Sequence, residues 1–101
     1  MEIACNLNAI AQADRPRYKD LMKRLRSAVR EHRAISDGLE IQIDGDMFSV
    51  AEIGEWIALE RLCCPFLTLQ VTTPENHPHP LLTVTAPEGV MPILEAEFLP
   101  S

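Results

Sequence analysis

Polar and apolar positions alternate along some stretches of this chain and recur at three- and four-residue steps along others. "IACNL" sets Ile3, Cys5 and Leu7 against Ala4 and Asn6, the pattern of a half-buried strand that sends Cys5 to the core. Asp14 and Pro16 mark a helix start. Tyr18, Leu21, Met22, Leu25, Val29 and His32 then form one apolar stripe, which predicts a helix over residues 15–33. "SDG" (Ser36 to Gly38) breaks that pattern, and "LEIQID" alternates Leu39, Ile41 and Ile43 with Glu40, Gln42 and Asp44, a strand with one wet face. "SVAE" (Ser49 to Glu52) has capping-box spacing and opens a second helix, expected over 49–63. Pro65 has no N–H and disfavours helical geometry at Cys64, so this helix ends at the cysteines.

"FLTLQVTT" and "LLTVT" read as two strands joined through the proline-rich "PENHPHP" loop. Val90, Ile93, Leu94 and Phe98 space a closing helix over 90–98, with Pro92 in its first turn. The resulting order is β-α-β-α-β-β-α. It predicts one α+β domain over residues 1–101, a two-layer sandwich in which a mostly antiparallel four-stranded sheet carries three helices on one face. The bare polar face and open edges of such a sheet predict a homodimer.

Charge divides the chain unevenly. The first 33 residues hold eight of the nine Lys and Arg and four of the fifteen Asp and Glu; the remainder holds one basic residue and eleven acids. The acidic body disfavours nucleic acid as a partner, because phosphate binding needs clustered cations. The basic stripe of Lys19, Lys23, Arg26, Arg30 and Arg33 either faces water, neutralises acidic neighbours, or offers a protein-docking face along the 15–33 helix. No apolar run approaches the length of a membrane span and residues 1–15 lack a signal-peptide pattern, so the expected location is the cytoplasm. Three cysteines in such a chain are expected to be thiols in a reducing compartment.

The chemistry concentrates in "EWIALERLCCPFL". On a helical wheel Ile53, Ile57, Glu60 and Cys64 fall within about 60° of one another, with Trp56 and Cys63 on the adjoining strip. Glu60 therefore belongs near the buried face and needs a partner, for which Arg61 or backbone N–H groups are available. Cys63 and Cys64 close a helix C-terminus, whose partial negative charge disfavours thiolate, so redox catalysis is not expected. A soft metal or metalloid ion avoids that objection by bringing its own charge and deprotonating the thiols. The expected ligands are Cys63 and Cys64, with Trp56, Glu60 and Arg61 around them and Cys5, His77 or His79 as possible additions.

The competing reading is a non-catalytic oligomeric domain in which the cysteines, as small hydrophobes, only pack. A catalytic constellation is not legible: the chain has no Gly-rich phosphate loop and no G-x-S-x-G elbow. His77 and His79 sit roughly 25 Å of strand away from Cys64, too far for a dyad.

The E-x-x-C-C-P-F run of Glu60 to Phe66, the upstream Trp56 and the "PEGV" of Pro87 to Val90 resemble a group of small uncharacterised bacterial proteins that share these features. The resemblance covers most of the chain and implies no activity.

Overall fold

Strand pairing decides where the first helix stops. In the computed structural model, which describes residues 6–89 and 91–99, α1 spans Arg15–Ser27, with Pro16 in its first turn. The Ala28 carbonyl then accepts the Asp44 N–H at 2.8 Å, and residues Val29–Ile35 form β1 rather than more helix. Two residues, Ser36 and Asp37, turn the chain into β2 (Gly38–Ile43), as tight antiparallel hairpins require. The expected 15–33 helix is thus corrected at its C-terminal end. The three- and four-residue spacing carries on through Val29 and His32, but a strand gains non-local hydrogen bonds with β2 that a helix would forgo.

After β2, helix α2 spans Val50–Cys63, β3 spans Thr68–Thr72, β4 spans Leu81–Thr85 and α3 spans Met91–Phe98. Ser49 and Glu52 form the capping box expected from their spacing, each side chain meeting the other residue's backbone N–H at 3.1 Å. The sheet order is β1-β2-β4-β3 and every pairing is antiparallel. The class is therefore α+β, a four-stranded antiparallel sheet with three helices. Among the described residues its first strand is residues 29–35. Of the segment 3–7 expected as a strand, residues 3–5, Cys5 among them, lie outside the described residues, and Leu7 opens a short 3-10 turn (Leu7–Ala9).

The core lies between the sheet and the helices. Leu39, Ile41, Ile43, Leu82 and Val84 face it from β2 and β4, and Leu21, Leu25, Ile53, Trp56, Leu94 and Phe98 meet them from the helices. Trp56 and Phe98 pack edge to face with ring centroids 5.6 Å apart, joining α2 to α3. Burying each such side chain is worth about 1.5–3 kcal/mol. The opposite sheet face carries Glu40, Gln42, Thr83 and Thr85 and is the wet face that the alternation predicts.

Candidate functional site

Helix α2 delivers the site. Of its residues Ile53, Trp56, Glu60 and Cys63 are buried, an i, i+3, i+7, i+10 series along one face. Glu60 and Trp56 are fully enclosed, Cys63 is 3% exposed and Cys64 is 0% exposed. Cys64 caps the helix, its N–H donating to the Glu60 carbonyl at 2.7 Å, and Pro65 follows. The helix ends at the cysteines, as Pro65 requires.

Glu60 is held by a residue the sequence pattern did not single out. The Tyr18 hydroxyl donates to Glu60 Oε2 at 2.7 Å, inside the core and between α1 and α2. This corrects the expected role of Arg61, which is exposed and makes no ion pair among the described residues. A guanidinium one residue on from Glu60 points to a different face of the helix, whereas Tyr18 sits on the facing stripe of α1. The signal was available: Tyr18 was the one hydroxyl on an otherwise apolar stripe, and a buried phenol needs a partner. Trp56 Nε1 is also buried and meets no hydrogen-bond acceptor among the described residues.

The same two helices are fastened at the surface. Arg17 grips Glu55 through two 2.8 Å hydrogen bonds, and Arg24 pairs with Glu52 while lying 5.5 Å over the Phe48 ring. The Ser49 backbone N–H and Arg24 hold the Glu52 carboxyl below its ordinary pKa, and the Arg17 guanidinium does the same for Glu55. These basic residues serve acidic neighbours within the chain. Of the basic stripe expected along a 15–33 helix, Lys19, Lys23 and Arg26 lie on α1, and Arg30 and Arg33 belong to β1.

The cysteines themselves differ in state. Cys64 is disulfide-bonded, which corrects the expectation that both residues of the pair are thiols. Asn6 lies against this corner, its N–H donating to the Cys63 carbonyl at 2.8 Å. Among the described residues, no three His, Cys, Asp or Glu side chains are arranged to hold a metal ion. The histidines are engaged elsewhere, since His79 Nδ1 accepts the Gly45 N–H at 3.2 Å and His77 Nδ1 accepts the His79 N–H at 3.2 Å. A pocket of about 410 Å³ opens beside Asp37, Pro87, Glu88 and Leu94, and none of its lining residues comes from α2 or the cysteine corner. Comparison with protein-family models, with curated proteins and with solved structures found no match to this chain.

Proposed function

We propose that the protein binds a soft metal or metalloid ion through the sulfurs at the end of α2, in the state in which Cys64 is reduced. The observation that carries this reading is the placement of two adjacent cysteines, Cys63 and Cys64, where the buried face of α2 ends. Adjacent thiols suit soft ions, which prefer sulfur to oxygen ligands. The ion would also deprotonate the thiols against the unfavourable helix terminus. Burial is compatible with this role, because structural metal sites are closed and their ligands enclosed. Cys5 is the residue before Asn6 in the chain, and it is the third sulfur in this proposal. Thiol ligation requires a reducing compartment, so the cytoplasm is the proposed location. No described helix is long and apolar enough to cross a membrane.

The packing-only reading is favoured by one observation, the near-complete burial of both cysteines. Thermal melts under reducing conditions separate the two. With mercury(II) or arsenite at about 100 times the dissociation constant, binding stabilises the wild type by about 2.7 kcal/mol. The Cys63→Ser/Cys64→Ser protein should show no such shift. A wild type indifferent to every ion, together with a double variant destabilised by about 1–3 kcal/mol per site, would leave packing as the role of the pair.

A further inference from the structure

Strand β1 is an edge of the sheet, and no residue from Arg30 to Ala34 is buried on either face. The helical layer stops short of it. Its outer backbone groups have no neighbouring strand among the described residues, which makes it a template for a further strand. We infer that β1 pairs antiparallel with β1 of a second copy, about a two-fold axis at His32, to give a continuous eight-stranded sheet.

The charge sequence of the strand selects both the partner and the register. In this pairing Glu31 lies opposite Arg33 of the copy, and Arg33 opposite Glu31, so two attractive pairs form at once. Sliding the copy by one residue in one direction sets Arg30 against Arg33; centring on Glu31 or on Arg33 sets like charges against each other across the axis. The wet face extends the pattern. Arg33 already pairs with Glu40 at 3.0 Å across β1–β2, and Glu31 lies beside Gln42 with no ion pair among the described residues. Across the dimer a row would run Glu40, Arg33, Glu31, Gln42, with opposite charges adjacent wherever two charges meet. The bulge between Val29 and Glu31 lies outside the central three residues and leaves their register intact. The other edge, β3, carries no charged residue and therefore nothing of this kind to select a copy of itself.

Two single substitutions test the pairing without relying on loss of structure. Glu31→Arg places Arg opposite Arg in its own dimer, and Arg33→Glu places Glu opposite Glu. Each protein, with its fold checked by circular dichroism, should be monomeric by sedimentation where the wild type is dimeric, its dissociation constant raised by about tenfold or more. Mixed together they should form a one-to-one heterodimer, because every facing pair is then opposite in charge. The heterodimer should weaken with added salt. A wild type that stays monomeric at several hundred micromolar overturns the inference. So do single variants that dimerise as well as the wild type, or two folded variants that fail to associate with each other.

Discussion

Replacing Tyr18 by Phe removes one hydroxyl from the junction of α1 and α2 and leaves the ring in place. Tyr18 is 7% exposed and Glu60 is fully buried, so water cannot easily take over the lost donor. A buried acceptor deprived of a partner costs about 1–3 kcal/mol, more when it is charged. For a domain of this length 1 kcal/mol moves the melting temperature by roughly 4–8 °C, so Tyr18→Phe should melt roughly 5–15 °C below the wild type. The chain has one tryptophan, Trp56, on the same helix face as Glu60, and its fluorescence reports directly on this junction during urea unfolding. Glu60→Gln retains an oxygen to accept from Tyr18 and a similar volume, while removing any buried charge. It should therefore lie within about 1 kcal/mol of the wild type, or above it. A Tyr18→Phe protein whose stability is within about 0.5 kcal/mol of the wild type would refute a stabilising role for the Tyr18–Glu60 hydrogen bond.

The glycines of the sheet and of α2 should respond oppositely to alanine. A Cβ at Gly38 would lie 1.8 Å from the Val84 carbonyl oxygen and 2.8 Å from Thr85 Cα, both backbone, so Gly38→Ala should cost more than about 3 kcal/mol in urea unfolding. A Cβ at Gly54 meets nothing within 4 Å, and Gly54→Ala should stabilise α2 by about 0.5–1 kcal/mol. Acid should destabilise the fold through Glu52 and Glu55. Both have pKa values lowered from 4.5 in the folded state, so the unfolded chain takes up protons first, and stability present above about pH 4.5 is lost as pH falls through the folded values. Glu55→Gln should make the acid limb of a stability–pH curve shallower, and an unchanged limb would remove the Arg17–Glu55 pair from the explanation.

The elements with strong local signals were readable in the sequence, and those fixed by distant pairing were not. Ser49, Glu52 and Pro65 act within a few residues of where they stand, and α2 begins and ends where they require. The alternations in 39–43 and 81–85 record burial of one face, and β2 and β4 follow them. β1 had no such record because neither of its faces is buried. Its exposed "VREHRAI" is compatible with either period, and only the register with β2 makes it a strand. At the site, the burial of Glu60 and Trp56 followed from helical spacing. The Tyr18 hydroxyl did not, because 42 residues separate it from Glu60 and the packing angle of two helices is not written in either one. Nor did the local sequence foretell the disulfide at Cys64.

Native mass spectrometry of the reduced protein, titrated separately with mercury(II), copper(I), arsenite and zinc, tests the central claim most directly. The thiol corner should retain one soft ion per chain and lose it in the Cys63→Ser/Cys64→Ser protein, with zinc bound more weakly because adjacent cysteines fit tetrahedral ligation poorly. Absence of any adduct on the reduced wild type, or an equal adduct on the double variant, would contradict it.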